Sequence, residues 1–349
     1  MKTLLTDLTQ EQLKHELAEM GQPAYRADQV WRGVYVSLLA GVGAMSNVPG
    51  TLRDTLAARW TFPGLKVAAH TRSRDRQTWK VLFELADGET IESVLMRYER
   101  RQTVCVSTQV GCAIGCPFCA TGQSGFRRNL SPGEIVEQVL FFGRALQEED
   151  KRVTHVVFMG MGEPLLNYDH TWQAVETLND PRGFALGARH MTISTAGIVP
   201  GIDRLMAEPL QVGLSVSLHA AEDALRDRLV PVNQVYRLAE VLGACHRYAA
   251  RTRRRITIEY AAIDGVNDFV EQAEALAKLL DGLLCHVNLI PLNCIEGSPW
   301  RPAPRERVNA FRAVLESHHI PATVRLGRGV DIQAGCGQLR QQRSAGKEP

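Results

Sequence analysis

The sequence predicts an α/β fold in which strands and helices alternate along most of the chain. Six apolar segments of strand length recur from residue 103 onward, and stretches of helical length separate them. This alternation is typical of a parallel sheet. The six segments read TVCVSTQV, HVVFMGMG, HMTISTAG, VGLSVSLH, RITIEYAAI and HVNLIPLN, and a later stretch, ATVRLG, predicts an additional edge strand.

The first 70 residues predict a separate helical domain. Thr9 and Gln12 form a capping-box pattern ahead of Leu13 and Leu17, which indicates the start of a helix. Two more helical runs follow, YRADQVWRGVYVSLL and VPGTLRDTLAARW. We therefore predict an accessory domain over residues 1–70.

Aromatic and arginine side chains are mixed in this helical domain. Unstacked RNA bases stack on flat side chains, and arginines bind phosphates, so the mixture favours RNA binding. Buried aromatics beside a solvated face would produce the same pattern. The residues are Tyr25, Arg26, Trp31, Arg32, Arg53 and Arg59.

A β-hairpin is predicted ahead of the alternating region. Trp79, Val81 and Phe83 alternate along TWKVLFEL, and Asp87-Gly88 supplies a turn before TIESVLMRY.

The predicted elements divide the chain into four parts. The helical domain over residues 1–70 comes first, and a linker with the hairpin follows over residues 71–104. Residues 105–340 form the α/β domain, and residues 341–349 form a disordered tail. The first helix of the α/β domain is predicted to begin at Ser131, with Pro132 in its first turn and Glu134 completing a capping box.

Composition and charge exclude several classes of protein. The net charge is only +2, so any nucleic acid must bind local basic patches such as Arg127 with Arg128, or the run RTRRR at 251–255. Asp7 and Glu11 interrupt the place where a signal peptide needs an apolar core, and no apolar run of about 18 residues occurs. We therefore expect a cytoplasmic protein without a membrane span.

The eight cysteines of the chain favour metal or redox chemistry over a disulfide framework.

Polar and glycine-rich segments follow five of the six predicted strands. They read GC, GMGEP, STAG, SLHA and PLN. Ligands of parallel α/β folds bind beyond the carboxyl ends of the strands. We therefore expect these five segments to converge on one site.

Three cysteines in the segment GCAIGCPFCATG are the strongest chemical signal. Cys112, Cys116 and Cys119 have the spacing C-x3-C-x2-C, and no fourth cysteine lies beside them. A structural zinc site requires four ligands, and Cys105, the only candidate nearby, lies inside a predicted strand. A [4Fe–4S] cluster on three thiolates leaves one iron free to bind S-adenosylmethionine, whose reductive cleavage yields a radical.

Four segments together form a specific signature: VGCAIGCPFCATGQSGFRRNL, MGMGEPLLN, SLHA and DIQAGCGQL. With these motifs the chain resembles the RlmN/Cfr family of radical S-adenosylmethionine (radical SAM) RNA methyltransferases. It implies a partial (β/α)6 barrel, one [4Fe–4S] cluster on the three cysteines, and S-adenosylmethionine as cofactor. It also implies methylation of a ring carbon of adenine in RNA.

The resemblance assigns three residues to the chemistry. Cys336, in AGCGQL, matches the cysteine that carries the methyl group. Cys105 matches the cysteine that resolves the covalent enzyme–RNA adduct by forming a disulfide with Cys336. Glu92, in TIESV, matches the proposed proton acceptor. From the residues alone, Gly335 and Gly337 would give the Cys336 segment the mobility that a shuttling thiol needs.

The resemblance also assigns residues to the cofactor. Gly162 and Glu163 match the residues that hold the methionine end of S-adenosylmethionine, where a carboxylate suits an ammonium group. Five further residues match other contacts to the cofactor: Ser194, Ser217, Leu218, His219 and Asn293.

The expected substrates are 23S ribosomal RNA, methylated at adenine C2 in the peptidyl-transferase region, and transfer RNA next to the anticodon. We expect a monomer that receives electrons from a donor such as flavodoxin. Two alternatives stay open. One is the related C8 methylation that confers antibiotic resistance, which shares the same motifs, and the other is a non-catalytic RNA-binding protein with a structural metal.

Overall fold

A ten-stranded sheet runs through the molecule and is mostly parallel. The computed structural model describes residues 2–295, 297–325 and 327–339, so the predicted tail at 341–349 lies outside the described residues. The sheet has the order β1-β2-β3-β4-β7-β8-β9-β10-β11-β12, and every pair from β4 to β12 is parallel. The parallel strands are β4 (Gln102–Cys105), β7 (His155–Phe158), β8 (Met191–Thr195), β9 (Gly213–Ser217), β10 (Ile256–Ala262), β11 (Cys285–Pro291) and β12 (Ala322–Val324).

Helices connect the parallel strands, which confirms the predicted α/β fold. The capping box at Ser131 is confirmed, since Ser131 Oγ accepts from Glu134 N and Glu134 accepts from Ser131 N. The connecting helices are α4 (Ala120–Gln123), α5 (Pro132–Gln147), α6 (Tyr168–Asn179), α7 (Val199–Ala207), α8 (Asp223–Leu229), α9 (Leu238–Thr252), α10 (Val270–Leu279) and α11 (Arg305–Ser317).

The first predicted strand is divided in the structure. The segment TVCVSTQV forms β4 and then β5 (Gln109–Gly111), which pairs antiparallel with β6 (Phe126–Asn129) in a separate two-stranded sheet. The break lies at Ser107, whose N–H and C=O both bond to the side-chain amide of Gln138 from α5. That amide satisfies the backbone and lets the chain leave the main sheet. The cysteine loop therefore starts from the small sheet.

The predicted hairpin is confirmed, but it belongs to a larger antiparallel extension of the main sheet. Its strands are β2 (Thr78–Glu84) and β3 (Thr90–Arg97), and β3 pairs with β4. One face packs on α5, where the Trp79 and Phe142 rings lie 5.3 Å apart. An unpredicted strand, β1 (Lys66–Arg72), pairs with β2 at the exposed edge of the sheet.

The N-terminal region consists of helices α1 (Gln10–Glu19), α2 (Tyr25–Tyr35) and α3 (Gly50–Arg59). The predicted capping box is confirmed, since Thr9 Oγ1 accepts from Gln12 N and Gln12 Oε1 accepts from Thr9 N. Buried Glu137 joins this region to α5 by accepting hydrogen bonds from Thr6 Oγ1 and Gly64 N. No helix among the described residues is both long and apolar enough to span a membrane.

Candidate active site

One cavity lies beyond the carboxyl ends of the parallel strands and collects most of the predicted site residues. The five polar segments therefore converge, as expected from the topology. Ten of the predicted residues line it: Cys112, Cys116, Cys119, Gly162, Glu163, Ser194, Ser217, His219, Asn293 and Cys336.

The surroundings of the three cysteines disfavour free thiolates. Burial raises the pKa of Cys112 to about 12 and that of Cys116 well above the usual range, with the neighbouring sulfurs adding to both shifts. Such thiols stay protonated unless a cation binds them. Backbone N–H groups also bond to the Cys112 and Cys119 sulfurs, as they do around iron–sulfur clusters.

The donor set of the loop is three thiols that line one cavity. The zinc alternative needs four ligands on one atom. A cubane is less demanding, because each thiolate binds a different iron.

Glu163 lies at the floor of the cavity with both carboxylate oxygens held in place. Oε1 accepts from Leu165 N at 3.1 Å, and Oε2 accepts from Ala196 N at 2.7 Å. Burial raises its pKa to about 7, and an ammonium ligand would favour the ionised form. The preceding Gly162 has φ +101°, and a Cβ there would lie 2.5 Å from Gln109 Cβ, so glycine is required for this approach.

His219 presents a neutral imidazole to the cavity. Its Nδ1 accepts from Ala261 N at 3.0 Å, so its proton lies on Nε2. Burial lowers its pKa to about 3. The ring makes an edge contact with Phe118 of the cysteine loop, with centroids 5.1 Å apart. Leu218, in contrast, does not line the cavity: its side chain is fully buried and its N–H bonds to Glu259 O.

Cys336 is held at the cavity by contacts on both sides. Asn293 Nδ2 donates to Cys336 O at 3.0 Å, and Ala120 N donates to Gly337 O at 2.8 Å. Gly335 is buried against Asn293, where a Cβ would lie 2.6 Å from Nδ2. Glycine at 335 therefore permits close packing, and the mobility expected of the segment stays a prediction.

Cys105 lines a smaller, adjoining cavity rather than the main one. Cys336, Asn293 and Arg325 line this second cavity as well, and Arg325 lines both. Cys105 and Cys336 are free thiols here, so the implied disulfide stays a prediction. Burial raises the Cys105 pKa to about 12.

Glu92 lines neither cavity, although it lies beside the second one. It occupies β3 with Val94 and Met96 on the same face, and these two line the second cavity. Its carboxylate forms an ion pair with Lys80 of β2 at 2.8 Å. The predicted proton acceptor therefore shares a face of the sheet with Cys105, which lies opposite Val94, and it is paired with a cation.

Comparison with known proteins decides the family. A model of the radical SAM superfamily matches residues 106–280, and a model of the ribosomal RNA large subunit methyltransferase N-terminal domain matches residues 3–61. The probable dual-specificity RNA methyltransferase RlmN of Chloroflexus aurantiacus is 48% identical, with 97% of this chain and 93% of that protein covered. Its counterpart in Symbiobacterium thermophilum is 47% identical, with 97% and 91% covered. The chain belongs to the RlmN family of radical SAM RNA methyltransferases.

A solved structure agrees with this RlmN assignment. The crystal structure of a radical SAM methyltransferase from Sphaerobacter thermophilus is 50% identical and superimposes with a TM-score of 0.96, with 97% of this chain and 99% of that chain covered. The partial barrel with its helical N-terminal region is thus the radical SAM fold. As a radical SAM RNA methyltransferase, the protein uses a [4Fe–4S] cluster and S-adenosylmethionine and acts on RNA.

The sequence of this RlmN-family chain did not predict the buried arginine side chain beneath the site. Arg226 of α8 is fully buried and donates to Leu218 O, Ala196 O and the side chain of Asn233. It joins the carboxyl ends of β8 and β9 beneath the cavity. Gln109 was also missed, and its Oε1 accepts from Glu163 N. Gln109 reaches Glu163 across 54 residues and Arg226 reaches Ala196 across 30, and no local motif marks either residue.

The predicted RNA contacts are only partly available in this RlmN-family chain. Arg128 is engaged by Asp87 at 2.6 Å and Glu134 at 2.8 Å, whereas Arg127 is exposed. Trp31 is a core residue, as the alternative interpretation required. Tyr25 is 52% exposed, with the Arg26 guanidinium 4.8 Å from its ring centre. Tyr25, Arg26 and Arg127 therefore stay candidates for RNA contact.

Proposed function

We propose that the protein methylates C2 of an adenine in the peptidyl-transferase region of 23S ribosomal RNA, and an adenine next to the anticodon of transfer RNA. Two observations support the proposal. The relatives at 44–48% identity carry the name dual-specificity RNA methyltransferase. Cys336 lines both the cavity of the three cysteines and the cavity of Cys105, and this observation carries the mechanism.

The chemistry of the target explains the need for a radical. C2 of adenine is electron-poor and does not attack a sulfonium methyl as an amine or thiolate does. A carbon radical adds to such a carbon. When bound, the cluster and S-adenosylmethionine supply a methyl group, a hydrogen-abstracting radical and a one-electron acceptor.

Residues of this chain do the rest of the work in our proposal. Cys112, Cys116 and Cys119 hold the cluster, and Glu163 holds the ammonium end of S-adenosylmethionine. Gly162, Ser194, Ser217, His219 and Asn293 are assigned to the remainder of that cofactor, and Leu218, which does not line the cavity, is left out. The Cys336 thiolate takes the methyl group and, after hydrogen abstraction, presents a thiomethylene radical to the adenine.

The covalent adduct must then be released. In the adduct, the methylene carbon joins the Cys336 sulfur to the adenine ring. The adduct radical gives up one electron to the acceptor, and its ring C–H proton moves to Glu92. Together these two losses restore the aromatic ring. The Cys105 thiolate attacks the Cys336 sulfur, so an S–S bond forms and the sulfur–methylene bond breaks. The bond's electron pair leaves with the carbon, which takes up a proton to become the methyl group. A cellular dithiol reduces the disulfide.

The partners follow from the same chemistry. The adenine must leave its base stack to reach the cavity, so looped RNA is the expected substrate. Tyr25, Arg26 and Arg127 are the proposed RNA contacts. Flavodoxin is the proposed electron donor, and the protein is proposed to act as a monomer.

Nucleoside mass spectrometry tests the proposal. Ribosomal and transfer RNA are treated separately with reconstituted protein, S-adenosylmethionine and a reductant. We expect 2-methyladenosine from both. 8-Methyladenosine as the main product would favour the C8 alternative, and RNA without methylation would overturn the proposal.

A variant tests the carrier role. Cys336→Ala removes the thiol but leaves the cluster cysteines and Glu163 intact. We expect it to cleave S-adenosylmethionine yet transfer no methyl group to RNA. Methylation retained in this variant would contradict the carrier role.

A further inference from the structure

Lys80 connects the proposed proton acceptor to the loop that carries Cys336. Its ammonium nitrogen lies 2.8 Å from Glu92 Oε1 and donates to the carbonyl of Gln333 at 3.2 Å. Gln333 precedes Cys336 by three residues. One side chain thus touches both the carboxylate and the carrier loop.

The strand register explains how Lys80 reaches both. β2 and β3 are antiparallel, with Lys80 opposite Val94 and Leu82 opposite Glu92. Cross-strand partners share a face of the sheet, so Lys80 and Glu92 are diagonal neighbours on one face. Cys105 lies opposite Val94 on the next strand and shares that face. The acceptor, its cation and the resolving cysteine therefore form one patch of sheet beneath the carrier loop.

Burial makes the Lys80–Glu92 pair stronger than a surface ion pair. The two side chains are 13% and 5% exposed, so water screens their attraction weakly. Removing the ammonium would take away the contact that fixes Glu92 Oε1 relative to the carrier loop. A misplaced carboxylate is a poor proton acceptor, because proton transfer needs hydrogen-bond geometry.

We propose that Lys80 is a positioning residue for proton removal: it holds the Glu92 carboxylate in place and ties it to the loop that brings the adduct. This inference rests on the proposed function. In the step that Lys80 assists, the ring C–H proton moves to the Glu92 carboxylate, which becomes a neutral acid, and the electron pair of the C–H bond stays in the ring.

The experiment follows the covalent adduct in a single turnover. Wild-type protein, Lys80→Met and Lys80→Arg are mixed with RNA, and the protein–RNA adduct is separated on denaturing gels over time. Cys336 methylation and 5′-deoxyadenosine formation are measured in the same samples by mass spectrometry. Asp331→Ala is the matched control, because Asp331 ties the same loop to the hairpin region through Arg74 N at 3.0 Å without contacting Lys80.

We expect Lys80→Met to methylate Cys336 and form 5′-deoxyadenosine as the wild type does, but to release the adduct at least about tenfold more slowly, since a misplaced catalytic group can cost about 100-fold. Lys80→Arg keeps the charge and should stay within about threefold of wild type. In a Glu92→Gln background, Lys80→Met should add no further defect. Asp331→Ala should release the adduct normally.

Three outcomes would overturn the inference. They are wild-type adduct release in Lys80→Met, an additive defect in the Glu92→Gln background, and an equal slowing in Asp331→Ala, which would show that loop attachment alone matters. A wild-type protein that forms no adduct and no methyladenosine would instead overturn the proposed function, so the two failures are distinguishable.

Discussion

Cys105 on β4 and Cys336 in the C-terminal loop line the same cavity, and both are free thiols. The two sulfurs belong to segments 231 residues apart in sequence, which the fold brings together beside the cavity of the three cysteines. This juxtaposition is what the proposed mechanism needs, since Cys336 must face the cofactor cavity and then be attacked by Cys105.

Replacement of Cys105 should trap the enzyme on its substrate. Cys105→Ala leaves Cys336 and the cluster ligands unchanged, so the adduct should form but not resolve. We expect RNA to remain covalently attached to the variant on denaturing gels. Clean turnover to methylated RNA would show that Cys105 does not resolve the adduct. Cys285→Ala, which replaces a buried cysteine that lines neither cavity, is the control and should release its product.

Resolution of the adduct should accelerate as pH rises. The thiolate is the nucleophile, and burial raises the Cys105 pKa to about 12. Below that pKa, the thiolate fraction grows about tenfold per pH unit. We expect the rate of adduct release, measured in single turnovers between about pH 6.5 and pH 9, to rise throughout this window. A rate that is independent of pH there would contradict thiolate attack by Cys105 as the limiting step.

Replacing one of the proposed cluster ligands should reduce the bound iron and sulfide and the absorbance of the cluster. Cys116→Ser removes one of the three thiols of the loop, and no fourth cysteine belongs to the loop. After anaerobic reconstitution, we expect much less bound iron and sulfide and a weaker absorbance near 400 nm than in wild type. Cys294→Ser, at an exposed cysteine, should bind the cluster normally. Full iron content in Cys116→Ser would exclude Cys116 as a ligand.

Arg226 predicts a stability effect. Arg226→Met would leave buried acceptors at Leu218, Ala196 and Asn233 without their donor. Each such loss is costly, and we expect the free energy of unfolding to fall by about 2–4 kcal/mol. Denaturant titration measures it. Arg228→Met, on the same helix but exposed, should change stability by less than about 0.5 kcal/mol. Equal stability of the two variants would contradict the role of Arg226.

Local patterns predicted the parts of this protein that depend on short sequence segments. The capping boxes at Thr9 and Ser131 formed because their partners lie three residues away. The cysteine loop and the segments after each strand met in one cavity because parallel strands share an edge. Nine of the thirteen predicted site residues line that cavity for this reason, and Cys336 of the C-terminal loop is the tenth.

Tertiary partners account for what the sequence did not predict. The first strand breaks at Ser107 because Gln138, 31 residues later, takes over its backbone bonds. β1 was missed because it is an exposed edge without apolar alternation. Lys80 reads as an ordinary polar residue of a hairpin, and its contact with Gln333 spans 253 residues. No window of neighbouring residues holds such information.

The central claim is that the methyl group passes through the Cys336 sulfur before it reaches adenine. Multiple turnovers with S-adenosylmethionine carrying a CD3 group test it most directly, with nucleosides analysed by mass spectrometry. Because one deuterium is removed to make the thiomethylene radical and a proton is added at release, we predict a product methyl group with two deuterium atoms. A product that retains all three would contradict the account.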